Sequence, residues 1–368
     1  MAFKVTPWET SGDINYDKLI TQFGLTPLND LPEVFNENVL FRRKKIFAHR
    51  DYGRIMSAMH KKQKFAMMTG LMPTGKFHIG HAILAKQFLF YQKMGAKIYI
   101  CVADIEAYHA RGQSLEDSRK IALEEYIPNY IALGLKKENV EIYFQSNRSK
   151  NVKKSNAFYR LQNILARYLT FNEFKASYGD VTPGKVMAGL LQAADMLHPM
   201  LEEFSGNVPV VVPVGTDQDP HIRLARDIVK RLKKPKFQQL CSTYHVFVPG
   251  LNGGKMSSSN EKSYIALTDD AKTVKNKVNR YALSGGRETL EEHRKLGGIP
   301  EKDIPYQWLT FFEEDDKKLK QIYDNYKSGK LLTGELKQIL IEKLNSFLKD
   351  HQKKLIEAKK VLKNYIDE

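Results

Sequence analysis

Short apolar runs that end in glycine alternate along the chain with longer stretches whose apolar positions recur every three to four residues. "KKQKFAMMTG" (61–70) predicts a short buried strand, and "IGHAILAKQFLFYQKMG" (79–95) a helix stopped by Gly95. "AKIYICVAD" (96–104) predicts a second strand. "SLEDSRKIALEEYIPNYIALG" (114–134) opens with the capping pair Ser114 and Asp117 and closes at Gly134. "VEIYFQS" (140–146) is a third strand, helical stretches fill 155–200, and "NVPVVVPVGTDQDPHIRLARDIVKRL" (207–232) is strand, turn and helix. Strands separated by helices imply an α/β fold with a parallel sheet and crossovers. Runs apolar on both sides fit a sheet buried on both faces.

From about residue 305 the strand signals stop. "ELKQILIEKLNSFLKDHQKKLIEAKKVLKNYI" (335–366) sets Leu336, Leu340, Leu344, Phe347, Leu355, Leu362 and Ile366 near a 3.6 period with lysines between them. This predicts an all-helical C-terminal domain with one apolar stripe and a basic outer face. Residues 1–45 mix weak strand and helix signals and form a separate N-terminal segment.

Composition narrows the class. Of 368 residues, 42% are hydrophobic and 27% charged, the balance of an ordinary globular protein. No apolar run of about 18 residues predicts a membrane span, and "MAFKVTPWETSGD" lacks the layout of a secretory signal. Two cysteines, Cys101 and Cys241, argue against a disulfide framework or a structural zinc site. An intracellular, soluble protein is expected. The excess of 58 Lys+Arg over 42 Asp+Glu, a net charge of +16, fits either a polyanionic partner or a lysine-rich, heat-adapted surface.

The chemistry starts at "MTGLMPTGKFHIGH" (68–81). In an open parallel sheet, ligands bind beyond the carboxyl ends of the strands. The loop 70–77 lies there, and the following helix aims its N–H groups at the same place, where an anion is favoured. His78 and His81, three apart, share a face and can both donate to phosphate oxygens, while Gly80 leaves room for a flat ring. A tight turn with two capping histidines, or a chelating histidine pair, also fits this stretch. A Walker loop does not, because no G-K-[ST] closes it. A second constellation, "GGKMSSS" (253–259), carries a lysine between glycines and hydroxyls, suited to following a migrating phosphate charge.

Together, "HIGH" and "KMSSS" resemble the two signatures of class I aminoacyl-tRNA synthetases, with Ser258 where a lysine is usual. "VGTDQDPHIRLARDI" (214–228), "SGGRETLEEHRKLGG" (284–298), "PYQWLTFFEEDD" (305–316) and "LLTGELKQILIEKL" (331–344) are similar to the tryptophanyl family of archaeal and eukaryotic type. "PWET" and "INYDKLITQFGL" near the N-terminus are similar to it too. The resemblance implies a Rossmann-like catalytic domain at 61–285 with a helical insertion around 150–205. It also implies an N-terminal segment 1–60 packing on that domain and a helical anticodon-binding domain at 286–368. Activation of L-tryptophan by ATP and Mg²⁺, transfer to tRNA(Trp), a homodimer and a cytoplasmic location are implied with it, the tyrosyl enzyme being the nearest rival.

Carried over residue by residue, the resemblance makes His78, His81 and Lys255 the catalytic set. Thr69, Gly70, Pro73, Gly80, Gly215, Asp217, Met256, Ser257 and Ser259 join them around ATP, and Glu106 matches the glutamate on the substrate ammonium. Gln192 and Gln218 match the glutamines that hold the amino acid. Met68 and Cys101 stand where eukaryotic members place a tyrosine and a glutamine on the indole N–H, and "LLQAADML" is similar to a segment in which bacterial members use an aspartate, so the resemblance implies Asp195 as its acceptor. Read without the resemblance, Glu106 and Asp195 also fit as salt-bridge partners, and the glutamines as core amides. Leu71 replaces a phosphate-reaching arginine, leaving Lys76 or Lys255 to compensate. Asp219 is expected to cap the helix that follows it. The basic C-terminal helices and "NVKKSNAFYRLQNILARYLT" (151–170) are candidate tRNA contacts.

Overall fold

The computed structural model describes residues 4–5, 10–11, 15–179, 182–254, 256–258 and 260–366. Lys4–Val5 (β1) and Thr10–Ser11 (β2) pair as a small antiparallel ribbon. The central sheet contains Thr26–Pro27 (β3), Ile46–Arg50 (β4), Ala66–Leu71 (β5), Lys97–Val102 (β6), Val140–Phe144 (β7), Val210–Gly215 (β8) and Cys241–His245 (β9). Their order is β3-β4-β9-β8-β5-β6-β7. The five strands β9-β8-β5-β6-β7 are parallel, and the strand order reverses at β5. The crevice between β5 and β8 is therefore the switch point at which this architecture binds ligands.

Alternation along each strand feeds two separate cores. Met67 joins the cluster under helix Ile79–Lys93, and its neighbour Met68 the cluster under helices Pro183–Leu197 and Asp219–Arg231. The first cluster runs on through Trp308, Leu340 and Leu344 into the C-terminal helices. Trp308 is buried and donates its indole N–H to the Pro249 carbonyl at 2.8 Å. Gln352, on the long helix Thr333–Val361, donates to the Leu267 carbonyl at 2.9 Å. The basic helical region is thus keyed to the segment that carries the second motif. Among the described residues, no helix is long and apolar enough to cross a membrane.

The sheet is wider than the sequence pattern predicts. β4 runs antiparallel to β9, and β3 antiparallel to β4. All of β9 is buried, yet its residues, Cys-Ser-Thr-Tyr-His, carry little apolar signal. The helix predicted at 114–134 starts as expected, with Ser114 accepting from the Asp117 N–H at 3.0 Å. It then widens at Ala122–Tyr126, where the Ile127 N–H reaches back to the Ala122 carbonyl. The C-terminal stripe holds from Leu336 to Leu355, with Leu348 buried beside a half-buried Phe347, and the helix ends at Val361.

Candidate active site

A cavity of about 520 Å³ opens at the switch point. Thr69, Gly70, His81, Glu106, Gln192, Asp195, Gly215, Asp217 and Gln218 all line it. Pro73, His78, Gly80, Met256 and Ser257 stand outside its wall, in the two loops at its mouth. Lys255 and Ser259 lie outside the described residues. Lys76 is exposed and Leu71 is buried in the wall.

The first loop is held rigidly. Gly75 takes a left-handed φ of 66°, which glycine adopts without penalty. Gln113 donates to the Pro73 carbonyl at 2.9 Å and Tyr126 to the Thr74 carbonyl at 2.8 Å. At the helix start, His78 Nδ1 accepts the Gly80 N–H and His81 Nδ1 accepts the His78 N–H, each at 3.2 Å. Capping therefore occupies Nδ1 of each ring and not Nε2. With Nδ1 an acceptor, the proton sits on Nε2. Burial lowers the His78 pKa to about 4, and burial followed by the neighbouring His78 holds His81 well below its usual value. Both rings are neutral donors at physiological pH.

The second loop meets the first. Backbone bonds from Ile79 to Ile265 (3.0 Å) and from Leu267 to Phe77 (3.1 Å) stitch the segment after the motif onto the histidine turn. Ser258 Oγ lies 3.5 Å from His78 Nε2. A Cβ on Gly80 would stand 3.0 Å from Met256 Sδ and 3.1 Å from the His78 ring, so a larger residue would have to displace one of them by a few tenths of an ångström. Ser257 is exposed, and its N–H is held by Ser263 Oγ at 3.2 Å. Ser258, noted in the sequence only as a departure from lysine, is the hydroxyl that reaches His78.

The far end of the cavity is acidic and closed. Asp195, 1% exposed, accepts from the Tyr143 hydroxyl and from Gln145 Nε2, both at 2.7 Å. Burial pushes its pKa up to about 6, against hydrogen bonds from Gln145, Tyr143 and Cys101. Glu106, partly open to the cavity, accepts from the same Gln145 Nε2 at 2.9 Å. Burial, then the Asp195 charge, raises the Glu106 carboxyl to about 8. Neither acid has a salt-bridge partner among the described ion pairs. Tyr143 and Gln145, two apart at the end of β7, point to one side of the sheet. That alternation in "VEIYFQS" was visible in the sequence, but the strand gave no hint of what stood opposite.

At the third corner, a Cβ on Gly215 would come within 2.7 Å of Asp217 Oδ1 and 2.8 Å of the Phe247 ring. Asp219 does not cap its helix. Its carboxylate takes both Arg50 Nε and Nη2 at 3.0 Å, and the Tyr244 hydroxyl, because β4 brings an arginine across the sheet edge. Among the described residues, no group of three His, Cys, Asp or Glu side chains is arranged to hold a metal ion.

The family model for class I tRNA synthetases (W and Y) matches residues 60–349. The tryptophan–tRNA ligase of Methanocaldococcus jannaschii is 47% identical over 365 residues, spanning 97% of this chain and 96% of its own length. The crystal structure of tryptophanyl-tRNA synthetase from Aeropyrum pernix matches with a TM-score of 0.90 at 43% identity, covering 96% of each chain. That of a tryptophanyl-tRNA synthetase from Encephalitozoon cuniculi, bound to tryptophan, gives 0.83 at 27% identity over 96% of this chain and 98% of the other.

Proposed function

The chain belongs to the class I tRNA synthetases, in their tryptophan–tRNA ligase branch, and from that premise we propose how its cleft divides the work. The reaction is the ATP-dependent activation of L-tryptophan to tryptophanyl-adenylate and its transfer to tRNA(Trp). The reading rests on one observation. A neutral, donor-bearing His81, with His78 stacked on it, and the carboxylates Glu106 and Asp195 line a single cavity.

Glu106 takes the substrate ammonium, and Gln192 and Gln218 hold the polar end of the amino acid. Asp195, ionised at neutral pH, accepts the indole N–H. The tryptophan carboxylate then attacks the α-phosphate of ATP, and pyrophosphate leaves. The substrates carry both nucleophile and leaving group, so positioning and charge stabilisation dominate. Thr69, Gly70, Pro73 and Gly80 shape the nucleotide's bed, and Gly215 and Asp217 take the ribose. His78 and His81 donate through Nε2 to phosphate oxygens. Lys255, with Met256, Ser257 and Ser259 around it, follows the departing pyrophosphate. Mg²⁺ would arrive with the triphosphate and would supply charge neutralisation there. In the second step a ribose hydroxyl of the terminal adenosine of tRNA attacks the adenylate carbonyl.

The same reading assigns 61–285 to the catalytic domain, 286–368 to the tRNA anticodon and 1–60 to a segment packing on the catalytic domain. It places the protein as a homodimer in the cytoplasm. ATP–pyrophosphate exchange across the amino acids tests it: tryptophan alone supports exchange. Exchange with tyrosine would replace it by the tyrosyl reading, and no exchange with any amino acid would end it.

A further inference from the structure

We propose that Gln145 is a positioning residue that ties the two ends of the amino-acid site together, so that the carboxylates at the ammonium end and the indole end engage substrate as one unit. This rests on the reading above.

The geometry is that of a joint. Gln145 is fully buried, with 0% of its surface exposed. Its amide nitrogen has two hydrogens, and it donates to Glu106 Oε1 at 2.9 Å and to Asp195 Oδ2 at 2.7 Å. Its carbonyl Oε1 accepts the Glu106 N–H at 3.2 Å. The side chain is therefore saturated by groups on two helices, Asp104–Arg111 and Pro183–Leu197, while its backbone follows β7. Its carbonyl is held in turn by the Tyr159 hydroxyl at 2.8 Å.

Other groups fix Asp195 but do not reach Glu106. Tyr143 holds Asp195 Oδ1, and the His198 ring lies 2.8 Å from the Asp195 carbonyl through Nδ1. Arg148 is buried behind them, 2.9 Å from His198 Nε2, with its guanidinium 4.0 Å from the Tyr143 ring centre. Cys101 faces the two carboxylates from β6, and Asp104 lies at the start of the helix bearing Glu106. Among the described residues, Gln145 alone is hydrogen-bonded to both acids. Two carboxylates without it would repel across a dry gap, and the less screened one would hold its proton. Gln145 favours the charged form of both. Charged acids are what an ammonium and an indole N–H require.

The test is the pH dependence of tryptophan affinity in Gln145→Met, which keeps length and removes both donors. Without the amide the Glu106 midpoint moves up. A shift of one unit, from about 8, weakens binding about tenfold at pH 7 and about twofold at pH 9. Loss by one factor at every pH would mark mere structural damage and overturn the proposal. Gln145→Glu, of the same shape, serves if the first variant does not fold. It is expected to move the midpoint in the same direction, and an unchanged midpoint there overturns the proposal equally. Failure of the parent protein to bind or activate tryptophan would instead end the functional reading on which this rests.

Discussion

The rings of His78 and His81 lie stacked, with 3.8 Å between their centroids and 23° between their planes. Two imidazolium ions would repel at that separation. The stack is stable because both rings are neutral, and each spends Nδ1 on a backbone N–H of the helix start. The motif is thus a reciprocal cap that leaves the Nε2 atoms facing outward, that of His78 towards Ser258 Oγ.

Removal of that donor is expected to slow adenylate formation on the order of 10²–10³-fold in His81→Ala. Equilibrium titration should show tryptophan binding nearly unchanged. Loss of the cap should also cost about 1 kcal/mol of stability.

The same rings set an acid limit. In the unfolded chain they protonate near 6.5, and in the fold His78 does so only near 4. The unfolded state therefore binds more protons across that window, and stability falls as pH drops from 6.5 towards 4. Thermal melts between pH 7 and 4.5 should show a steeper decline in the parent than in His78→Asn.

Glu106 works in the opposite sense. Its folded midpoint of about 8 lies above the ordinary value of 4.5, so in the empty protein stability falls as pH rises between them. Glu106→Gln should melt higher than the parent at pH 8 while losing tryptophan affinity. In the parent, affinity should drop as pH falls below about 8, with proton release on binding measurable by calorimetry in buffers of different ionisation enthalpy.

Gly80→Ala places a methyl 3.0 Å from Met256 Sδ. The second loop has to give, at a typical overpacking cost of about 1–3 kcal/mol. The KM for ATP is expected to rise roughly tenfold or more, with tryptophan affinity retained, in steady-state exchange kinetics.

Arg50→Met leaves the Asp219 carboxylate, 0% exposed, without its bidentate partner. Arg223 Nε, 3.2 Å from the same carboxylate, and the Tyr244 hydroxyl remain, so the loss should fall below the about 3–5 kcal/mol of a buried charge left with no partner. Urea unfolding should show it, and the double variant Arg50→Met/Asp219→Leu should recover part of the loss.

How much of this could be read from the chain depended on which force set each feature. β5, β6, β7 and β8 are apolar runs, and the helices between them imply a parallel sheet, though not that β8 pairs beside β5. The pairing of "HIGH" with "KMSSS" named both loops before any geometry. β4 and β9 escaped because a polar strand becomes buried through partners far away in sequence. Asp219 was misread for the same reason, since its arginine arrives from β4. Gln145 was missed because an amide at a strand end carries no motif. Its meaning lies in two acids 39 and 50 residues away.

The antiparallel pairing of β4 with β9 also sets a timetable for the growing polypeptide. β9 follows β4 by about 190 residues, which at ribosomal speeds is roughly 10–40 s of synthesis. Throughout that interval the early strand has an open hydrogen-bonding edge, and until Asp219 is made, 169 residues on, Arg50 lacks its counterion. Newly made chains are therefore most exposed to wrong pairing before Cys241–His245 has emerged.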